Sequence, residues 1–420
     1  MFPNFPTTTH TLKRYQVTSQ LESSCHILPF RMERIPQELV DKLIDELADD
    51  PEPLRVCSLI SRRWVGRSRH HLFRLINFPR ADKFTRYRNM FPVDHSVHSC
   101  VRTLVITQPP REALRSGLEH LKAFRGLESL TLTDIINRPT EGQNTIEFLA
   151  EGLGDTLSVK SLKLIQWRVS PTTLMEFICR FPSLKDLNIE RMDFLLGLPR
   201  WKLPSRFPRF TGRLDFVDRD SHGTAEKFLR LLARLPLAFR EISIEAASHG
   251  APDLIITILE KCSPVLTNAS LRYVYPPGAV ASFCPLLRAN RPGRLPGATV
   301  RGINASFPEL RGLTLKPYPG CTGIVDDLTL KLLSVVSSPY LSQVTLNHTA
   351  SHKLGPLDTN KLREADRTMF ELTQRIGRSV SFGWDFRCSE ICVELAIRPH
   401  LKKIDGLGAL RISGGGGVTS

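Results

Sequence analysis

The chain has 420 residues, which is enough for two or three ordinary domains or for one extended array of repeats. Its composition, 41% hydrophobic and 24% charged residues, is typical of a globular protein and excludes a largely disordered chain. The formal net charge of +15 predicts attraction to polyanions or acidic partners, but it carries no information about the fold.

The N-terminal segment gives no sign of a membrane or secretory protein. Residues 1–30 mix Thr, Ser, Pro and His without hydrophobic periodicity, so we predict a mostly disordered leader there. The segment lacks the apolar core of a signal peptide. No stretch of the chain approaches the roughly 18 apolar residues that a membrane-spanning helix needs. We therefore expect an intracellular protein, in the cytoplasm or nucleus, without a membrane partner.

Residues 34–73 contain three short helix signals. The first helix begins at Pro36, whose fixed φ suits the opening position of a helix. Its apolar residues recur every four positions and form one stripe: Leu39, Leu43 and Leu47, with Ile44 beside them. A break at residues 50–53 starts the second helix, and Ser61 can cap the third. A unit this small buries little surface by itself, so the stripe predicts a partner.

This stretch resembles an F-box, in the fungal form that precedes leucine-rich repeats. The matching residues are Ile35-Pro36, Glu38-Leu39, Leu43-Ile44, Leu47, Leu54 and Trp64. In that family the helices bind a Skp-type adaptor, which leads through a cullin to a RING ubiquitin ligase. The resemblance implies an F-box-like domain over residues 31–79, in which Trp64 packs the helices together. It also implies an adaptor-binding set: Ile35, Pro36, Leu39, Leu43, Ile44, Leu47 and Leu54.

From residue 101 onward, short segments have apolar residues at relative positions one, four and six. These segments are Val101-Leu104-Ile106, Leu127-Leu130-Leu132, Val159-Leu162-Leu164, Leu184-Leu187-Ile189, Leu214-Phe216, Phe239-Ile242-Ile244, Leu266-Ala269-Leu271, Leu310-Leu313-Leu315 and Leu341-Val344-Leu346. The fourth positions are separated by 26, 32, 25, 27, 28, 27, 44 and 31 residues. Leucine-rich repeats run about 20–29 residues, with a strand at this segment and a helix or irregular piece after it.

Helical periodicity fills the intervals between these segments. Helices are predicted around Leu118 and Phe177 and over the run from Ala225 to Leu235, with Pro171 and Pro252 near two helix starts. One strand–helix unit cannot bury its own apolar face, so the units must stack. We therefore predict an α/β protein, with a small all-α F-box-like helical unit followed by an irregular leucine-rich repeat solenoid over residues 80–400.

The predicted repeats lack one polar feature of the usual leucine-rich repeat. The Asn or Cys expected at relative position nine is replaced by other residues: Pro109, Ile135, Trp167, Met192, Arg219 and Ala247. The backbone groups of the turns must then be satisfied by water or by neighbouring backbone groups.

Two basic insertions, at residues 198–213 and 290–301, interrupt the array. Insertions in a repeat protein lie on one face, which is often the binding face. The predicted target-binding residues are Arg200, Trp201, Lys202, Arg206, Phe207 and Arg294. The alternative is a pair of solvated loops whose aromatic residues pack against the array.

The C-terminal part is predicted to contain a helix over residues 359–378 and a final strand over residues 392–397. Residues 401–420 are predicted to be a flexible Gly-rich tail, because four consecutive glycines have no side chains to pack.

The sequence contains no catalytic motif and predicts neither a cofactor nor a metal site. His95, His98 and Cys100 lie close together but lack an obvious fourth ligand. Cys388 and Cys392 lack a second ligand pair, and we expect both to be small buried residues. The nine cysteines do not suggest a complete disulfide framework.

We therefore expect a non-enzymatic substrate receptor of a Skp–cullin–RING ubiquitin ligase. Its N-terminal helices would bind the adaptor and, through it, the cullin, while the repeat array would bind a protein target. One alternative is a stand-alone repeat scaffold in which the helices are an N-terminal cap. A second alternative is a basic nucleic-acid-binding repeat protein, which we disfavour because no recognised binding motif is present.

Overall fold

The computed structural model of the chain describes most of the predicted elements. The described residues are 35–107, 115–133, 146, 149, 153, 158–195, 207–218, 224–246, 251–273, 306–316, 327–348, 359–377, 380–386 and 397–414. The chain divides into two units, Met1–Arg67 and Ser68–Ser420. The predicted leader, residues 1–30, lies outside the described residues.

The first unit contains three helices whose starts follow from local chemistry. They are α1 (Gln37–Glu46), α2 (Pro51–Ile60) and α3 (Arg62–Leu72), and the division between the units falls within α3. The Asp50 carboxylate accepts a hydrogen bond from the Glu52 backbone N–H at 3.2 Å at the start of α2. The Ser61 hydroxyl accepts one from the Arg63 N–H at 3.1 Å. Both are N-capping interactions, so the predicted helix starts are confirmed.

Five side chains form the buried part of this unit: Val40, Ile44, Leu54, Cys57 and Trp64. A core of this size is small, and domains with so little buried surface are marginally stable. Truncating a buried Trp typically costs about 3–5 kcal/mol. Trp64 therefore contributes a large part of the free energy that stabilises the first unit.

The second unit is built on a parallel sheet of twelve strands. Its strands are β1 (Leu75–Phe78), β2 (Thr103–Thr107), β3 (Ser129–Thr133), β4 (Ser161–Ile165), β6 (Asp186–Glu190), β8 (Arg213–Asp218), β9 (Glu241–Ala246), β10 (Asn268–Tyr273), β11 (Gly312–Lys316), β12 (Gln343–His348), β13 (Ser381–Phe386) and β14 (Leu410–Gly414). Two short strands, β5 (Arg168–Val169) and β7 (Asp193–Phe194), pair separately. The strands of the large sheet lie side by side in chain order.

The register of the sheet aligns the fourth-position residues of the predicted motif. Leu104 is opposite Leu130, which is opposite Leu162, and the row continues through every predicted strand to Val344. In β2, β3, β4 and β6 the fourth- and sixth-position residues are buried and the alternate residues are partly exposed, because successive side chains point to opposite faces. All nine predicted strands are confirmed.

Helices lie between the strands in the chain and supply the rest of the core. They are α4 (Ala81–Met90), α5 (Val97–Cys100), α6 (Leu118–Ala123), α7 (Pro171–Cys179), α8 (Thr224–Leu232), α9 (Ala251–Cys262), α10 (Asp327–Val335), α11 (Thr359–Ile376) and α12 (Lys402–Gly406), with a 3₁₀ turn at Arg398–His400. The buried side chains of strands and helices form one hydrophobic cluster. Apolar residues of α7 and α8 are almost completely buried within it.

Three assignments made from the sequence need correction. Residues 68–79, predicted as part of the F-box-like domain, belong to the second unit, because β1 pairs with β2 and buries Ile76 and Phe78. The predicted strand at 392–397 lies outside the described residues except for Ile397, which is helical. The segment from residue 401, predicted as a flexible tail, contains α12 and β14, and β14 pairs with β13.

The C-terminal correction has a clear physical cause. Leu401, Ile404 and Leu410 are buried and extend the core beyond β13. In addition, the buried Asp366 carboxylate on α11 accepts hydrogen bonds from the Lys403 and Ile404 backbone N–H groups at 3.2 and 3.1 Å. These bonds satisfy the otherwise unpaired donors at the start of α12.

Neighbouring groups satisfy the turns that lack the usual polar residue. At position nine, Trp167 donates its indole N–H to the Leu132 carbonyl at 3.0 Å. The two position-nine residues that the structure describes are Trp167 and Met192. The residue before each of them, Gln166 and Arg191 respectively, has a positive φ. Their backbone N–H groups donate to the Glu190 and Val217 carbonyls of the next strand. The other position-nine residues, Pro109, Ile135, Arg219 and Ala247, lie outside the described residues.

An aromatic cluster supports the middle of the sheet. Phe228 of α8 stacks on Phe194 and on Phe216, with ring centroids 5.6 Å apart in both pairs and interplanar angles of 12° and 7°. All three rings are almost fully buried. Such pairs contribute about 0.5–1.5 kcal/mol beyond the burial of their area.

No helix among the described residues is long and apolar enough to cross a membrane.

We predict that Phe228→Ala lowers the free energy of unfolding by about 3–5 kcal/mol, because it removes a buried ring and leaves a cavity. Thermal or urea unfolding followed by circular dichroism measures the change. Arg230→Ala, an exposed position on the same helix, is the control and should cost about 0.5 kcal/mol or less. Equal effects of the two substitutions would contradict the role given to the aromatic cluster.

We also predict that Asp366→Ala loosens the C-terminal segment, because the buried Ile404 N–H loses its acceptor, at a cost of about 1–3 kcal/mol, and the partly buried Lys403 N–H loses its acceptor as well. Limited proteolysis followed by mass spectrometry should then show faster cleavage after residue 400. Glu364→Ala, an exposed carboxylate on the same helix, should leave the cleavage pattern unchanged.

Candidate functional site

The first helix has two apolar stripes, and only one of them is buried. Val40 and Ile44 are four residues apart and lie in the core of the first unit. Leu39 and Leu43 are also four residues apart, but they are 57% and 51% exposed. Successive helix positions differ by about 100°, so the exposed stripe lies beside the buried one rather than opposite it.

The second helix repeats this arrangement more strongly. Leu54 and Cys57 are buried, whereas Val56, Leu59 and Ile60 are exposed, Leu59 by 86%. The exposed residues have the spacing i, i+3, i+4 and therefore share one face of α2. We call the five residues Leu39, Leu43, Val56, Leu59 and Ile60 the apolar surface of the first unit.

Polar contacts hold α1 against α3. The Arg67 guanidinium donates to both carboxylate oxygens of Asp45, at 2.6 and 2.8 Å. This bidentate bond raises the pKa of Arg67 above its usual value. At the other end, Arg63 donates to the Gln37 side chain at 3.1 Å and to the Ile35 carbonyl at 2.9 Å. The Arg67 and Arg63 contacts together fix the orientation of α1 relative to α3. That orientation sets the direction in which the exposed leucines of α1 point.

The structure divides the predicted adaptor-binding residues into two groups. Leu39, Leu43 and Pro36 are exposed, and Ile35 and Leu47 are partly exposed. Ile44 and Leu54 are almost fully buried, so their side chains support the helices from within and do not offer surface to a partner. Val56, Leu59 and Ile60 were missed by the sequence analysis, although their i, i+3, i+4 spacing could have identified them.

The second candidate surface is the open face of the sheet, formed by the alternate residues that do not enter the core. It is polar and its charges are largely paired within the protein. Lys163 contacts Glu190 at 2.8 Å, and Arg272 contacts Glu245 at 3.2 Å. Arg213 contacts Asp215 at 2.7 Å, and this hydrogen bond raises the pKa of Arg213.

Two shallow clefts lie on this face. One, of about 580 Å³, is lined by residues of β3 to β9, including Lys163, Asn188, Arg213 and Arg240. The other, of about 460 Å³, is lined by residues of β8 to β12. Their linings mix acidic, basic and hydroxyl side chains, which is the composition of a surface that hydrogen-bonds a polar partner.

Most predicted target-binding residues cannot be placed on either surface. Arg200, Trp201, Lys202, Arg206 and Arg294 lie outside the described residues. Phe207 is described and is partly buried against the hydrophobic core, so it contributes to packing.

The histidines considered as metal ligands are used for internal hydrogen bonds. His98 is buried, and its Nε2–H donates to the Pro92 carbonyl at 2.8 Å. Its Nδ1 therefore accepts from the Tyr87 hydroxyl at 2.9 Å. His95 Nδ1 accepts from the Val97 N–H at 3.1 Å. In the part of the chain that the structure describes, no group of three or more His, Cys, Asp or Glu side chains is arranged to hold a metal ion.

Comparison with known proteins gives little further information. No protein-family model and no curated protein matches the sequence. Among solved structures, the complex of Rad7 and Elc1 in yeast is similar to this chain at 12% identity, with a TM-score of 0.33. The match covers 87% of this chain and 84% of the other. At that level of similarity, the function has to be inferred from the chain's own residues.

The buried cysteines should be unreactive. Burial raises the pKa of the Cys179 and Cys262 thiols to about 12. A raised pKa keeps the thiol protonated, so little thiolate is present at pH 8. We predict that iodoacetamide at pH 8 leaves both unmodified in the native protein and modifies both after denaturation. Peptide mapping by mass spectrometry measures this. The partly exposed Cys100 is the internal control and should react in the native state.

Proposed function

We propose that this chain is a substrate receptor of a Skp–cullin–RING ubiquitin ligase, in which the first unit binds a Skp-type adaptor and a leucine-rich repeat solenoid binds the target. The observation that carries the proposal is the apolar surface. Among the described residues, ten large apolar side chains are exposed, and five of them belong to this surface. The described residues of the first unit are only 35–67, so the exposed apolar side chains are concentrated there. Concentrated exposed apolar surface marks interaction sites.

The location of this surface agrees with the sequence resemblance. The F-box-like residues include Leu39 and Leu43, and α2 adds three more apolar side chains beside them in the sequence. A small helical unit that leaves this many apolar groups in water gains stability when a partner covers them. The adaptor of an F-box protein is such a partner.

The energy available is adequate for specific binding. Complete burial of one such side chain is worth about 1.5–3 kcal/mol, so the exposed halves of these five contribute on the order of 1 kcal/mol each. Association entropy and side-chain ordering oppose this sum. The apolar surface would therefore serve as the centre of an interface whose remainder is polar.

The chain itself would supply no chemistry. Ubiquitin transfer would occur on other subunits, and the receptor would raise its rate by holding a target lysine near the charged conjugating enzyme. The open face of the sheet and its clefts offer polar groups for the target. The two surfaces belong to different units, which suits a receptor that binds adaptor and target independently.

The test is adaptor binding by the purified full-length chain. Leu39→Asp with Leu43→Asp should weaken binding at least about 100-fold, because two apolar contacts are lost and two carboxylates would be buried at the interface. Both positions are exposed, so the free protein should keep its thermal midpoint within a few degrees. Titration calorimetry or biolayer interferometry measures the affinity.

Lys42→Glu is the matched control, since it lies on an exposed part of the same helix and changes the net charge by the same amount as the double variant. It should retain wild-type affinity within about threefold. If the wild-type chain does not bind the adaptor, or if the double variant binds as tightly as the control, the ligase proposal fails. A stand-alone scaffold with a helical cap would then be the better description.

A further inference from the structure

A row of basic residues precedes the strands of the sheet. Each of the first ten strands of the large sheet is preceded by one residue of this row. Six of the ten are cationic, and we call them the basic edge: Arg74, Arg102, Lys160, Lys185, Arg240 and Arg311. The other four positions hold Glu128, Gly212, Thr267 and Ser342, so the row contains a single carboxylate.

A continuous ladder of backbone hydrogen bonds holds this row in place. The N–H of each residue donates to the carbonyl of the preceding one, at 2.8 Å from Lys160 to Glu128, from Lys185 to Lys160 and from Arg240 to Gly212. The ladder runs from Arg74 to Ser342 without interruption. Neighbouring Cα atoms in such a ladder are about 4.8 Å apart, so the backbone spacing of these residues is set before any partner arrives.

Most of these charges are available to a partner. Arg74, Lys185, Arg240 and Arg311 are exposed, and none forms an ion pair within the part of the chain that the structure describes. Lys160 contacts Glu128 at 3.3 Å, and Arg102 donates to the Gly126 carbonyl at 2.9 Å.

The next row into the sheet has a different charge balance. It carries Asp186 and Glu241 with Arg213 between them, and Asp186 accepts a hydrogen bond from the Arg213 backbone N–H at 2.8 Å. A Cβ at Gly212 would meet the Asp186 carboxylate, so a side chain at this position would displace that carboxylate. Lys185 and Arg240 lie on either side of Gly212 in the ladder, so their Cα atoms are two strand spacings, about 10 Å, apart.

We propose that the basic edge binds an acidic segment of a polypeptide, whose carboxylates contact the exposed cations of the row, among them Lys185 and Arg240. The inference rests on the proposed function in one respect only, which is that the acidic segment belongs to the protein target of the receptor. Charge complementarity is its basis, because a row of six cations and one carboxylate, with four of the cations exposed and outside any ion pair of the described residues, attracts an anionic chain.

The surroundings favour a polypeptide over a nucleic acid. A nucleic acid carries a charge on every residue, and the carboxylates of Asp186 and Glu241 beside the edge would repel it. A polypeptide can place neutral residues there and confine its carboxylates to the edge. Moreover, no described residue between Arg74 and Arg240 presents an exposed aromatic ring on which bases could stack.

The experiment is fluorescence anisotropy with the full-length chain in the absence of adaptor. The probe is a short fluorescein-labelled peptide in which Glu alternates with Ser. The same peptide with Gln in place of Glu and an oligothymidylate of the same length are the comparison ligands. We expect the Glu peptide to bind more tightly than both, with an affinity that falls as salt is raised.

Lys185→Glu with Arg240→Glu should weaken binding of the Glu peptide about tenfold or more, since two charge contacts become repulsive. Lys83→Glu with Arg86→Glu, at exposed positions on α4, makes the same change in net charge away from the edge and should alter affinity less than twofold. Lys185→Gln with Arg240→Gln should give an intermediate loss and protects the test against misfolding of the reversed variant.

Three results would overturn the inference: equal binding of the Glu and Gln peptides, equal effects of the edge and α4 variants, or tighter, edge-dependent binding of the oligothymidylate. Because the adaptor is absent, the result does not depend on the ligase proposal. If the chain bound the Glu peptide but not the adaptor, the basic edge would still be a binding site for acidic polypeptide. Only its role as the target site of a ligase would be removed.

Discussion

The in-register alignment of apolar residues across twelve parallel strands is the constraint on which the second unit depends. Each strand buries its alternate residues only because strands on either side continue the sheet and helices cover the same face. The hydrogen bonds of the large sheet join strands whose paired residues are 25 to 44 positions apart, so each pairing links one repeat to the next. A single strand–helix pair has no such partner and would leave its apolar face in water.

The first unit presents the opposite balance. Its buried set is five side chains, while five others of similar size remain in water on α1 and α2. The bidentate Arg67–Asp45 contact and the Arg63–Gln37 pair orient the helices without covering these residues. The first unit therefore leaves as many large apolar side chains in water as it buries.

Sequence periodicity was sufficient for the strands and insufficient at the ends of the array. Nine strands followed from the one-four-six spacing, and the 44-residue interval before Leu313 did not disturb the pairing of β10 with β11. Three strands of the large sheet were missed, β1, β13 and β14, and the first and last carry the same spacing, in Phe73-Ile76-Phe78 and Leu407-Leu410-Ile412. These two were hidden because the first adjoins the helical stretch and the last adjoins glycines, so composition outweighed periodicity at both places.

The site was less predictable than the fold, and α2 shows why. Its sequence contains apolar residues on two faces, and both faces satisfy the same helical period. Nothing local distinguishes Leu54, which is buried, from Leu59, which is 86% exposed. That distinction depends on where α1 and α3 lie, which is a property of the assembled unit.

The sequence by itself determined the α/β character, the positions of nine strands and the starts of three N-terminal helices, because these depend on residues within a few positions of one another. Only the tertiary structure decided which apolar stripes stay in water and which cations become neighbours. Lys160, Lys185 and Arg240 are far apart along the chain. They form one row because neighbouring parallel strands place the corresponding residues of successive repeats about 4.8 Å apart.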